Sequence, residues 1–198
     1  MTSHNPAPIL LAPKPSLTYR LVSSLLVFPV FRGLFRGSTQ GNEQVPAQGP
    51  LVVVANHGSH LDPPLLGPLI RACGAYPIRR GASDREAIRT ATARLQEGWA
   101  TGVFLDGTRQ PDGRVNQPLP GAALLSARSG APLLPVAIVN SHRALGPGRS
   151  LPRLVPIQLR IGELVPPPTG RRRAELDATT AELQRRINAM LDQTRLHP

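Results

Sequence analysis

Apolar and polar positions fall into alternating blocks along this chain. After a polar, proline-rich start from Met1 to Pro15 comes the apolar stretch Leu21 to Phe31, LVSSLLVFPVF, broken by two serines and Pro29. It is well short of the roughly 20 apolar residues that a spanning helix needs, and the start lacks the charged and apolar regions of a signal peptide. The stretch therefore predicts a first helix, either docked on its own domain or lying in a membrane interface with Arg20, Arg32 and Arg36 among lipid phosphates. Gly37 to Pro50 reads as a turn-rich connector. Leu51 to Asn56 (LVVVAN) is a continuous β-branched run of the kind buried on both faces of a parallel sheet. Ala75 to Arg79, Thr101 to Asp106, Pro132 to Val139 and Val155 to Gly162 are further predicted strands.

Between these runs the period changes to that of a helix. Ser83 and Glu86 form a capping box, Ile88, Ala91 and Leu95 share one face behind it, and Gly98 stops the helix. Gly121 to Ser129 predicts a short helix ended by Gly130. Arg172 to Leu196 predicts a last one, with Leu176, Leu183, Ile187 and Leu191 on one side, for packing or for membrane contact. Strands alternating with helices give an α/β fold with a largely parallel or mixed sheet flanked by helices, in which sites form at the carboxyl ends of the strands. The expected organisation is a tail with a membrane-contact helix over 1–40, then one domain over 41–198 that includes the C-terminal helix 172–196.

Composition narrows the picture a little. With 198 residues, 40% of them apolar, the chain has enough material for a core without disulfides or a structural metal. One cysteine, Cys73, excludes a disulfide framework and a four-thiolate zinc site. Lys and Arg total 23 against 12 Asp and Glu, a formal charge of +11, which suits an anionic partner. Nucleic acid, an anionic membrane and an acidic protein all qualify. Four Phe, two Tyr and one Trp offer few stacking platforms for single-stranded nucleic acid.

The candidate chemistry sits at strand ends. Asn56-His57-Gly58-Ser59-His60-Leu61-Asp62 directly follows the first strand and places an imidazole five positions before a carboxylate. A His held through one ring nitrogen by Asp keeps the other free to accept a proton, and such assistance accelerates reactions roughly 10²- to 10⁴-fold. The alternative is that Asn56 or Asp62 caps the following helix and His57 fills the loop. Phe104-Leu105-Asp106-Gly107-Thr108-Arg109 follows the third strand, so in a parallel sheet His57 and Arg109 face one crevice. Gly107 allows close backbone approach, and an Arg fork matches a phosphate. Arg79 and Arg80 add to the same positive edge, although a solvated charged face accounts for any one arginine.

These blocks resemble those of glycerolipid acyltransferases, most closely the 1-acylglycerol-3-phosphate acyltransferases. NHGSHLD is similar to their His-x-x-x-x-Asp motif, YPIRRG (Tyr76 to Gly81) to their second block, FLDGTR to their Phe-Pro-Glu-Gly-Thr-Arg block, and LLPVAI (Leu133 to Ile138) to the fourth, with Pro135 as its proline. The resemblance implies a glycerol-3-phosphate acyltransferase-like fold. It also implies that His57 activates the sn-2 hydroxyl of lysophosphatidate, which attacks the thioester carbonyl of acyl-carrier protein or acyl-CoA. Asp62 then orients His57. Arg80 and Arg109 hold the phosphate, with Asp106, Gly107 and Thr108 at the same substrate-binding block, and neither metal nor prosthetic group is called for. The implied setting is peripheral, on the cytoplasmic face of an anionic membrane, with no nucleic-acid partner.

Two departures stand out. Leu105 and Asp106 occupy the places of the family's Pro and Glu, and only 18 positions separate Asp62 from Arg80, well below the family's usual spacing. A stretch that relatives carry after Leu65 to Gly67, on the acyl-binding side, is absent. Another lysolipid as acceptor, or a shortened relative without activity, are the alternatives within the family. Outside it, a metal site on His57, His60 and Asp62 finds only His142 as a further ligand elsewhere in the folded body. A serine hydrolase lacks its Gly-x-Ser-x-Gly elbow, with Ser59 a helix-start residue and Cys73 a core thiol. A basic nucleic-acid-binding module explains the charge but not two motifs at strand ends.

Overall fold

The computed structural model describes residues 23–58, 85–144 and 153–193. Within them five strands form one mixed sheet: β1 (Ser38–Gln40), β2 (Leu51–Ala55), β3 (Ala100–Phe104), β4 (Leu133–Val139) and β5 (Gln158–Ile161), in spatial order β1-β5-β4-β2-β3. β2 is parallel to both its neighbours, pairing Ala55 with Phe104 of β3 and with Val136 of β4. β5 runs antiparallel to β4 and parallel to β1. The unbroken apolar run of β2 follows from this central place, since both its faces are covered.

One face of the sheet carries the helices α1 (Arg85–Gln96), α2 (Gly121–Ser129) and α4 (Arg173–Asp192). Val52, Val54, Leu133 and Ala137 project from the strands into a core completed by Ala91 and Leu95 of α1, Leu125 of α2, and Leu183 and Ile187 of α4. The buried positions of α1 are Ala87, Ala91 and Leu95; Ala91 and Leu95 are on the expected face, and Ile88, its third member, packs half-buried against the same core. Its stop at Gly98 is real: the residue takes a φ of 87° and its N–H donates to Leu95 O. Gly130 ends α2 in the same way, with a φ of 73° and its N–H on Ser126 O. A single helical turn, α3 (Ser141–Ala144), follows β4. On the opposite face Leu51, Ala55, Leu134 and Val136 form a second cluster with Val53, Ile138 and Ile161 packed on it.

Several boundaries differ from expectation. The connector over 37–50 contains β1, three residues too short to show a period of two, and the division expected at residue 40 falls on its last position. The third strand ends at Phe104 rather than Asp106, because Leu105 and Asp106 turn out of the ladder, where Asp106 bridges Pro118. The expected strand at 75–79, Ser83 of the capping box, Asp62, Arg80 and Cys73 lie outside the described residues.

The apolar segment near the N-terminus forms two wide helical pieces, Ser23–Val27 and Val30–Leu34. It is fixed at its end, where Phe35 is buried with Ala144 and Ile157 and Phe31 packs on them. Leu25, Val27, Phe28, Val30 and Leu34 are exposed, and the Arg32 guanidinium lies 5.5 Å over the Phe28 ring. No described helix is long and apolar enough to cross a membrane.

Candidate active site

The site is assembled where β2 and β3 end side by side. Leu105 N–H donates to Ala55 O at 2.9 Å, and Gln110 N–H donates to His57 O at 2.8 Å, so the loop after β3 returns to bond the chain just past β2. Residues 57 and 106–110 therefore share one edge, as parallel strands require. Ala55 and His57 are two residues apart and share a face with Phe104, which pairs with Ala55. The result is a stacked pair: the His57 and Phe104 ring centroids are 4.1 Å apart with 14° between planes.

Asn56 points the other way and is fully buried. Its Nδ2 donates to Gly113 O at 2.7 Å and to Ile138 O at 3.2 Å, while its Oδ1 accepts the Ile138 N–H at 2.7 Å. The residue before the candidate base thus ties three segments together: the end of β2, the end of β4 and the loop after β3. Sequence reasoning missed this role because its partners lie 57 and 82 residues away.

The loop over 106–117 is pinned on several sides. Asp106 Oδ1 accepts the N–H groups of Asn116 and Gln117, and Arg114 pairs with Asp192 of α4. Gln184 and Asn188 of α4 donate to Val115 O, and Asn188 Oδ1 accepts Val115 N–H. Residues 184, 188 and 192 recur every fourth position and so form one stripe of α4. The last helix packs on the core with one side and fixes the loop with another. Gly113 has a φ of 72°, and a Cβ there would run into His142 Nδ1. His142 also sits against Gly58 through its Cβ, which would lie 3.2 Å from a Cβ built there. The two glycines let the turn after β4 close on the site loop.

Each described candidate residue now has a place. His57 is half-buried and stacked; Arg109 is half-buried one residue before the Gln110 that bonds His57 O; Gly107 and Thr108 are exposed. At Gly107 a Cβ would meet Leu119 Cδ1 at 2.6 Å, so the space freed by glycine is filled by a side chain of the same loop. Asp106 is buried, and its Oδ2 makes no hydrogen bond among the described residues. Burial pushes the Asp106 carboxyl above the ordinary aspartate range, against the opposing pull of the Gln117 and Asn116 N–H groups.

Residues 63–139 match the family model named Acyltransferase, a range that includes Arg80 and 106–109 and begins after His57 and Asp62. The chain is 24% identical over 153 residues to a chloroplastic 1-acyl-sn-glycerol-3-phosphate acyltransferase, BAT2, of Brassica napus, covering 65% of this chain and 43% of that protein. It is 31% identical over 131 residues to a probable 1-acyl-sn-glycerol-3-phosphate acyltransferase of Mycoplasma genitalium, covering 50% of this chain and 48% of the relative. The chain thus spans less than half the length of these curated relatives. The 153 aligned positions occupy only 65% of a 198-residue chain, so the Brassica protein carries residues with no counterpart here. The crystal structure of the 1-acyl-sn-glycerophosphate (LPA) acyltransferase PlsC from Thermotoga maritima superposes with a TM-score of 0.62 at 24% identity, covering 78% of this chain and 71% of that one. The two share a fold.

Proposed function

We propose that this chain, whose residues 63–139 match the Acyltransferase family model, moves a fatty acyl group from acyl-carrier protein or acyl-CoA to the sn-2 hydroxyl of 1-acylglycerol-3-phosphate, giving phosphatidate. The observation that carries this reading is the joining of His57 and the Arg109 segment at one strand edge, through Gln110 N–H on His57 O and the Phe104 stack. His57 takes the proton of the acceptor hydroxyl as its oxygen attacks the thioester carbonyl. The tetrahedral intermediate then collapses, the C–S bond breaks, and the leaving thiolate takes the proton back from His57. Asp62 orients the imidazole. Arg109 and Arg80 bind the acceptor phosphate, for which a guanidinium fork is well suited. The buried Asp106, with one oxygen holding the loop, keeps Gly107, Thr108 and Arg109 in place. Names borne by the relatives support the acceptor.

The acceptor assignment is tested through Arg109. Charge-assisted hydrogen bonds contribute about 1.5–3 kcal/mol, so Arg109→Gln raises the KM for lysophosphatidate about 10- to 100-fold and leaves the donor KM within about twofold. Arg80→Gln behaves alike. Steady-state kinetics with each substrate varied in turn decide it; equal rises in both constants contradict the assignment.

The reading also places the protein at a lipid surface. Exposed Leu25, Val27, Phe28, Val30 and Leu34, with Arg32 and Arg36 beside them, match an apolar face that enters the headgroup boundary with guanidinium groups at the phosphates. Phe35 and Phe31 hold the segment to the domain while leaving that face open. The double variant Leu25→Ser, Phe28→Ser is expected to bind vesicles containing anionic phospholipid about 100-fold more weakly, since burying each side chain contributes roughly 1.5 kcal/mol or more. Both positions are exposed, so the thermal midpoint stays put. Vesicle sedimentation measures it, and unchanged binding contradicts the surface role.

A further inference from the structure

We propose that Phe104 is a positioning residue for His57, whose imidazole it holds in one plane and favours in the protonated form. This rests on the reading of His57 as the general base. Phe104 is half exposed, on the outermost strand among the described residues, where an aromatic ring gains little from core packing. What it does contact is the imidazole face, with centroids 4.1 Å apart and planes within 14°. The backbone holds both partners in that register. Phe104 pairs with Ala55, the next N–H donates to Ala55 O, and Gln110 N–H donates to His57 O, so the backbone sets both side chains at neighbouring positions of the same edge.

The chemistry follows from the benzene quadrupole. A cation within about 6 Å of an aromatic face is attracted to it, whereas two neutral rings gain less. His57 becomes an imidazolium at the moment it has taken the acceptor proton. The stack therefore favours the charged state that the transfer passes through and raises the basicity of the resting imidazole. It also restrains rotation of the imidazole.

Other charged and titratable groups surround this loop. Asp106, Arg109, Asp112 and Arg114 lie on the segment after β3, and His142 and Arg143 on the turn after β4. His60 and Asp62 follow His57 in the chain, outside the described residues. Phe104→Leu and Phe104→Tyr both keep all of these groups in the chain and differ in the aromatic face, so a shift present in the first and absent in the second reports the ring.

The test uses the full chain and two variants, Phe104→Leu, which keeps apolar bulk without a π face, and Phe104→Tyr, which restores the face. The His57 ring resonance, assigned by its loss in His57→Ala, is followed by NMR against pH. The expected result is a titration midpoint about half a unit lower in Phe104→Leu and near wild type in Phe104→Tyr. In parallel, kcat falls several-fold in Phe104→Leu with both KM values within about twofold, and the acid limb of the rate profile moves with the NMR midpoint. An unchanged His57 midpoint in Phe104→Leu overturns the proposal. So does a rise in donor KM alone, which makes Phe104 a surface for the acyl chain. A shifted midpoint together with a fully active His57→Ala overturns the general-base reading, and the positioning role with it, while the stack itself stands.

Discussion

Replacing His57 by alanine is expected to lower acyl transfer by about 10²- to 10⁴-fold or more while the protein stays folded. The size follows from the chemistry, since a neutral alcohol attacks a thioester slowly unless its proton is taken as the bond forms. His57 is half-buried at the sheet edge, and the fully buried side chains of the core, Val52, Val54, Leu95, Leu183 and Ile187, lie elsewhere. Removing the ring forfeits its stack on Phe104, worth about 0.5–1.5 kcal/mol, against a stability of about 5–15 kcal/mol for a domain. Asp62→Asn is expected to cost nearly as much activity, because an imidazole released from its orienting carboxylate samples unproductive rotamers and the wrong tautomer. Turnover near wild type in His57→Ala, with an unchanged circular dichroism spectrum, contradicts the mechanism.

The largest effect on stability is expected at Asn56, the neighbouring residue. Asn56→Ala removes three hydrogen bonds at once and leaves the Ile138 N–H and the Gly113 carbonyl inside the protein without that partner. A buried polar group left unsatisfied costs about 1–3 kcal/mol, so the variant loses about 3 kcal/mol in all. For a chain of this length that lowers the thermal midpoint by about 6–12 °C. Activity falls too, since the strand end carrying His57 and the loop carrying Arg109 lose their common anchor. Asn56→Asp separates the two halves of the bond pattern. It keeps the acceptor for Ile138 N–H but turns a carboxylate oxygen toward two carbonyls, so it is expected to destabilise at neutral pH and recover as the pH is lowered through its titration. A shift below about 2 °C in Asn56→Ala contradicts the anchoring role.

Much of the fold is legible in the sequence because the signals are local. The β-branched run at Leu51–Ala55 marks a strand covered on both faces, and the glycines at 98 and 130 mark helix ends by the left-handed conformation they permit. The nearness of His57 and Arg109 follows from strand direction alone: motifs at the carboxyl ends of two parallel neighbours share an edge whatever their separation in the chain. What stays hidden depends on register and on long-range pairing. The Phe104 stack requires Ala55 and Phe104 to be opposite each other, a fact that neither strand carries by itself. Asn56 reads as a loop or cap residue until Gly113 and Ile138 are brought beside it. The stripe of Gln184, Asn188 and Asp192 reads as a polar helix face, although it holds the loop over 106–117. β1 escapes notice because three residues at a sheet edge carry too little pattern.

The account is tested most directly by transfer itself. The purified 198-residue chain is mixed with a labelled acyl thioester, on acyl-carrier protein or on CoA, and with either 1-acylglycerol-3-phosphate or a lysolipid whose phosphate is masked by a choline headgroup. The expected result is labelled phosphatidate formed from the first acceptor, at a rate at least ten times that with the second, together with one equivalent of free thiol per acyl group transferred. No thiol release with any thioester donor, or equal rates with both acceptors, would contradict the joining of a base at His57 to a phosphate site at Arg109.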